Sequence, residues 1–332
     1  MKKLLGAVSA IAIMLSAGHA MADDCDDGEI VIKFSHVTAN SGHPKGDAAT
    51  AIAARINDEM NGKACMEVYP NSTLFDDDKV MEALLLGDVQ VAAPSLSKFE
   101  AYTKAYRLFD LPFLFSSMAA VNNFTQGPVG QGMLKAIEDK GYTGLGYVYN
   151  GLKHFSANKP LLVPEDADGL KFRVQTSDVA VAMTEAMGAS AQKLAFKEVY
   201  GALQTGVVDG QENTWSNIYK QKFFEVQDGV TETNHQLLTY LAITSTDWLN
   251  SLPEDVREQF VTIFSEEVNK ANANAEAINE EAKQGIIAAG GAIRQLTPEQ
   301  RKVWVETMKP VWAKFEADIG KENIDAAVAA NQ

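Results

Sequence analysis

Two residues of complementary chemistry stand at the ends of strand-like runs. Arg173 belongs to Leu170-Lys171-Phe172-Arg173-Val174-Gln175, and Asn213 to the later run Gly206-Val207-Val208-Asp209-Gly210-Gln211-Glu212-Asn213-Thr214-Trp215. A guanidinium presents a planar fork of donors that matches a carboxylate in two parallel bonds. An amide adds a donor and an acceptor beside it. Together they can grip one carboxylate. Thr176-Ser177-Asp178 follows Arg173 as a helix N-cap, so an anion at the guanidinium would also face helix N-terminal amides. Trp215 offers an aromatic wall and Asn217 a second amide. Plainer readings stay open at this level: an arginine on a solvated strand face, a turn asparagine, a core tryptophan. Lys153, in Asn150-Gly151-Leu152-Lys153-His154-Phe155, and His43 and Lys45, which flank a helix start, are candidates for a second cationic grip, although each alone also fits a surface charge.

Patterns of covalent or metal catalysis are missing. The chain has no Gly-x-Ser-x-Gly elbow and no His-Glu-x-x-His helix. Gly127-Pro128-Val129-Gly130-Gln131-Gly132 follows no strand and fits no phosphate loop. His36 and His43 with Asp76-Asp77-Asp78 match no known ligand spacing, and the acidic triplet lacks the glycine and glutamate of a calcium loop, so it reads as a solvated helix cap. No metal and no cofactor is expected. The 332 residues, 46% of them hydrophobic, suffice for two lobes with a real core. The 29 Lys+Arg against 44 Asp+Glu leave a net charge of -15, which argues against nucleic acid and anionic membrane surfaces as partners. A small anion stays possible, because salt screens a distant surface field while local cations act at contact.

The elements that must position these groups alternate in type. Strand-like runs at 30–34, 66–69 and 89–92 are separated by helical runs at 44–60, opened by Pro44, and 76–86, closed by Gly87. This rhythm predicts an α/β fold with helices covering the sheets. The unit recurs: Val80, Ala83, Leu84, Gly87 and Val89 match Val199, Ala202, Leu203, Gly206 and Val208 at a shift of 119 positions. Two similar lobes would each present strand ends to a shared cleft, the place where open α/β sheets bind ligands. The chain is expected to leave the first lobe near Tyr149-Asn150-Gly151 and return along Leu237-Leu238-Thr239-Tyr240-Leu241-Ala242-Ile243, so that shared strands form the hinge. From Pro253 to Gly290-Gly291 no breaker interrupts an apolar stripe that includes Val256, Phe260, Ile263, Phe264, Val268, Ala275, Ile278, Ala282 and Ile286. A helix of that length, about 55 Å, would span both lobes. The expected division is 23–149 plus about 237–275 for lobe I, and 150–236 plus about 276–332 for lobe II.

Residues 1–22 read as a signal peptide, with Lys2 and Lys3 before an apolar segment and Ala20-Met21-Ala22 as the cleavage site. The mature chain is then exported without membrane insertion, since no other stretch is long enough to span a bilayer. Cys25 and Cys65 each precede a strand-like run. If those strands are neighbours, the sulfurs meet at one sheet edge and an oxidising compartment favours a disulfide.

Several motifs taken jointly resemble the solute receptors of tripartite ATP-independent periplasmic (TRAP) transporters, most of all their C4-dicarboxylate-binding branch, over essentially the whole mature chain. They are Phe34-Ser35-His36-Val37 with His43-Pro44-Lys45-Gly46, Tyr69-Pro70-Asn71-Ser72, Ser95-Leu96-Ser97-Lys98-Phe99, Asp110-Leu111-Pro112-Phe113-Leu114-Phe115, Phe172-Arg173-Val174-Gln175, and Gly210-Gln211-Glu212-Asn213-Thr214-Trp215-Ser216-Asn217. The resemblance implies a periplasmic two-lobed clamp with mixed sheets and a long helix across both lobes. It implies that Arg173 pairs with the ligand carboxylate, that Asn213 assists, that Lys153 makes a second contact, and that Phe196 lines the pocket. Ser95 stands where sialic-acid receptors carry a glutamate, which suits a small diacid such as malate, succinate or fumarate. Lys45 is the expected partner of the distal carboxylate. The implied partners are the ligand and TRAP permease membrane subunits. Another small organic acid as ligand, or an exported enzyme acting on dicarboxylates, are the alternatives.

Overall fold

The computed structural model describes residues 25–332, so the expected signal peptide lies outside the described residues. Eleven strands form two sheets: β1 (Ile30–Ser35), β2 (Ala64–Tyr69), β3 (Val91–Ala92), β4 (Tyr142–Leu152), β5 (His154–Ala157), β6 (Lys171–Val174), β7 (Ser190–Lys193), β8 (Gly210–Asn213), β9 (Gly229–Glu232), β10 (Leu237–Ser245) and β11 (Ile293–Gln295). The first sheet runs β2-β1-β3-β10-β4 and the second β11-β9-β5-β8-β6-β7. In the first, β1 is parallel to β2 and β3, while β10 is antiparallel to β3 and β4. In the second, β6 is parallel to β7 and β8, while β5 is antiparallel to β8 and β9. The two lobes therefore repeat one topology, in register with the sequence repeat. Each sheet also contains an antiparallel strand that the chain brings across from the other lobe. β10 is buried at every position, as a strand covered on both faces must be.

Local signals explain the helix boundaries. Pro44 opens the Pro44–Glu59 helix at its first position, and the His43 side chain caps it by accepting from Lys45 N. Gly87, at φ 80°, ends the Val80–Leu86 helix in the left-handed conformation that glycine tolerates. The Glu254–Ala288 helix has 35 residues, about 52 Å of rise. Its Val256, Phe260, Ile263, Phe264 and Val268 join the first lobe's core, and its Ala282 and Ile286 join the second's.

One expected boundary differs. Trp304 and Met308 pack with Phe155 and Phe172 in the second lobe, but Val311, Phe315, Ile319, Ile324 and Ala327 belong to a core built mostly from the first. The indole of Trp312 donates to Pro112 O at 2.8 Å. The chain crosses back near Pro310 because the apolar stripe beyond it finds its cover on the first lobe. The segment 276–332 is thus divided between lobes.

Cys25 and Cys65 form a disulfide. Cys65 lies inside β2, paired in register with Val31 of β1, and the segment ahead of β1 folds back to bring Cys25 to it. At the hinge, Lys153 links β4 to β5, and 233–236 links β9 to β10. These crossings are tied together: Lys153 N donates to Gln236 O at 2.7 Å and His235 N to Lys153 O at 3.2 Å.

Candidate functional site

The inter-lobe cleft is bounded by Thr38, Asp77, Lys98 and Tyr240 from the first lobe and by Arg173, Gln175, Phe196, Asn213 and Asn217 from the second. Arg173 ends up 1% exposed, within the Phe172–Val174 stretch of β6 that is buried on both faces, whereas Lys171 is exposed. Its Nε and Nη2 donate to Leu194 O at 3.1 and 2.9 Å. That carbonyl holds one edge of the guanidinium. The other edge, Nη1 with the second Nη2 proton, makes no bond among the described residues and offers an end-on fork to a carboxylate. Burial draws the Arg173 pKa down to about 10, opposed by Glu212 and the nearby aspartates, so the group stays charged at neutral pH.

Asn213 is oriented by a directed chain of bonds. Lys45 N, an obligatory donor, gives its proton to His43 Nδ1 at 3.1 Å, so the imidazole carries its own proton on Nε2. Burial, reinforced by Lys45, holds His43 well below the ordinary histidine range and therefore neutral. His43 Nε2 donates to Asn217 Oδ1 at 3.0 Å, and Asn217 Nδ2 to Asn213 Oδ1 at 2.6 Å. The Asn213 amide nitrogen gives one proton to Gln211 Oε1 at 3.1 Å and keeps one for the cleft.

Other expected site residues fall elsewhere. The Lys153 ammonium is buried in an ion pair with Glu212, 2.9 Å from Oε2, and also donates to Gln175 and Gln236. It does not border the cleft. Burial would raise the Glu212 carboxyl, but Lys153 and His235 more than offset this and hold it below its ordinary range. The Lys45 ammonium bonds to Ala93 O at 2.9 Å and lies 3.8 Å above the Tyr240 ring. It stands next to two cleft residues, Tyr240 and Asp77, without bordering the cleft itself. Ser95 is buried; its backbone N–H serves Asp77, and its hydroxyl has no hydrogen-bond partner. The Trp215 ring packs at a tilt against His154, centroids 4.2 Å apart, and borders a separate groove by the hinge, since the strand preceding it turns into a helix at that point.

Thr38, Asp77, Lys98, Gln175 and Tyr240 escaped the sequence reading as cleft residues. Gln175 was findable, since it shares a strand face with Arg173. Tyr240 was not, because its place depends on which strand pairs where. The acidic triplet is solvated only in part, with Asp78 exposed. Asp77 is buried, and burial pushes its carboxyl up against the pull of Lys45 and Lys98. The triplet also meets the other lobe at the cleft mouth: Asp76 pairs with Lys197 at 3.0 Å, and Lys98, bonded to Asp78 at 2.7 Å, reaches Thr176 at 3.1 Å.

A family model described as bacterial extracellular solute-binding protein, family 7, matches residues 34–318. The chain belongs to this family. A C4-dicarboxylate-binding periplasmic protein of Vibrio cholerae is 59% identical over 332 residues, all of both chains. A protein of the same description from Rhodobacter capsulatus is 42% identical over 99% of this chain and 98% of its own. Among solved structures, a TRAP periplasmic solute-binding protein of Shewanella oneidensis with bound succinate superposes with a TM-score of 0.90 at 49% identity, covering 92% of this chain and 100% of that one. One from Pseudomonas aeruginosa with bound L-malate gives 0.84 at 41% identity, over 86% of this chain and 99% of that one. The chain thus shares its two-lobed α/β architecture with TRAP receptors, and among its described residues no helix is long and apolar enough to cross a membrane.

Proposed function

We propose that this protein is a periplasmic receptor that closes on a C4-dicarboxylate and delivers it to TRAP permease membrane subunits, without chemical turnover. One observation carries the reading. Arg173 keeps a free guanidinium edge, anchored from behind by Leu194 O, beside the donor of Asn213 in a cleft shared by both lobes. The second carboxylate is assigned to the first-lobe end, where Lys98 borders the cleft and Lys45 adds positive charge from beneath Tyr240. Relatives whose descriptions name C4-dicarboxylates, succinate or malate support this ligand class. Micromolar affinity corresponds to about 8 kcal/mol, within reach of two charge-assisted grips in a water-excluding site. The lobes already touch across the mouth, so closure is a hinge motion that ligand contacts bias.

A thermal-shift panel of organic acids tests the proposal, since a ligand that binds only the native state raises Tm. Succinate, malate and fumarate should raise it, with no interconversion of malate and fumarate during incubation. Stabilisation by none of them, or turnover, would reject it.

A further inference from the structure

The bonds of Lys153 recast its role. An ammonium has three protons and no lone pair. All three are committed to oxygens inside the protein: Gln236 Oε1 at 2.8 Å, Gln175 Oε1 at 3.0 Å and Glu212 Oε1 at 3.2 Å. Lys153 has nothing left to give a ligand. It does, however, dictate how Gln175 stands. An amide next to an ammonium must turn its oxygen inward, which sends its NH2 the other way. Gln175 borders the cleft on the strand face of Arg173, and its Nε2 makes no hydrogen bond among the described residues.

We propose that Gln175 donates through Nε2 to the carboxylate held by Arg173, and that Lys153 is the positioning residue that keeps this donor facing the ligand. Without the ammonium, the amide could rotate and present its oxygen to an anion. The Glu212 carboxylate keeps Lys153 in place, and Ser97 Oγ, 3.4 Å from Gln175 Oε1, closes the inner side. The inference rests on the dicarboxylate reading above.

Calorimetry with succinate on the full mature receptor decides it. Gln175→Leu should bind about tenfold more weakly. Gln175→Glu should keep the wild-type Tm, because Lys153 retains an oxygen partner, yet bind at least a hundredfold more weakly, because a second anion then faces the ligand. Lys153→Met alone would strand a buried carboxylate, so it is combined with Glu212→Leu. This pair should weaken binding three- to tenfold in the wild-type background and not at all in the Gln175→Leu background, the non-additivity expected of residues that act through one another. Unchanged affinity in Gln175→Leu, or an undiminished effect of the Lys153 pair in that background, would overturn the proposal while leaving the dicarboxylate reading intact. A wild-type receptor that binds no diacid would overturn both.

Discussion

His43 and Asn217 are joined by a 3.0 Å hydrogen bond between Nε2 and Oδ1, and that bond ties the helix start of one lobe to a cleft-lining amide of the other. Everything upstream of it is fixed by backbone chemistry. The Lys45 N–H sets the imidazole tautomer, the tautomer sets Asn217, and Asn217 sets Asn213. Contact between the lobes thus adds to the hold that Gln211 already exerts on the Asn213 amide from within the second lobe.

His43→Phe should break this chain with little loss of packing volume. Asn213 would then be free to turn its oxygen toward the ligand. Binding of succinate is expected to weaken about tenfold, roughly the worth of one oriented hydrogen bond. Calorimetry checks this, with thermal melts of the free protein to show that it is folded.

Arg173→Lys keeps the charge and loses the fork. The ammonium can reach either Leu194 O or the ligand, but it cannot hold both in one plane. Affinity should fall by about a hundredfold or more, since hydrogen bonds to charged groups contribute about 1.5–3 kcal/mol each. A change of less than threefold would count against the grip described.

Much of the architecture was legible in the residues, because periodicity and breakers report on local structure. The long helix, the repeated helix–glycine–strand unit and the proximity of Arg173 to an N-cap all follow from patterns within a few turns of chain. What could not be read was the partner of each charge. Lys153, Lys45 and Arg173 are equally cationic as letters. Only the fold puts Glu212 against Lys153, the Tyr240 ring against Lys45, and a lone carbonyl against Arg173. The segment after Pro310 was misassigned for a related reason, since a short amphipathic helix does not specify which lobe will cover it.

Lys45 predicts a pH dependence. Burial draws its ammonium down to about 8, and Asp77 only partly opposes this. A dianion favours the protonated form. Affinity should be flat below pH 8 and fall by up to about tenfold per unit above it, as the free receptor sheds this proton. Stability moves the other way. The folded pKa lies below the unfolded value of about 10.4, so the unfolded chain binds more protons between the two, and the contribution of this group to stability rises across that window. Lys45→Met should remove both trends, as followed by calorimetry and urea unfolding from pH 7 to 10.

Reduction of the Cys25–Cys65 bridge should lower stability without touching the site. The cysteines are 40 positions apart, and closing a loop of that size is worth about 4 kcal/mol in the chain-entropy model. Cys25→Ser with Cys65→Ser should shift the urea midpoint downward and leave succinate affinity within twofold.

The most direct measurement is a crystal structure of the mature receptor with succinate. One carboxylate should lie end-on to Arg173, within about 3 Å of Nη1 and Nη2, with Asn213 Nδ2 on the same group and the lobes closed around the ligand. Succinate seated elsewhere, or a guanidinium edge turned to solvent beside a bound diacid, would contradict the account.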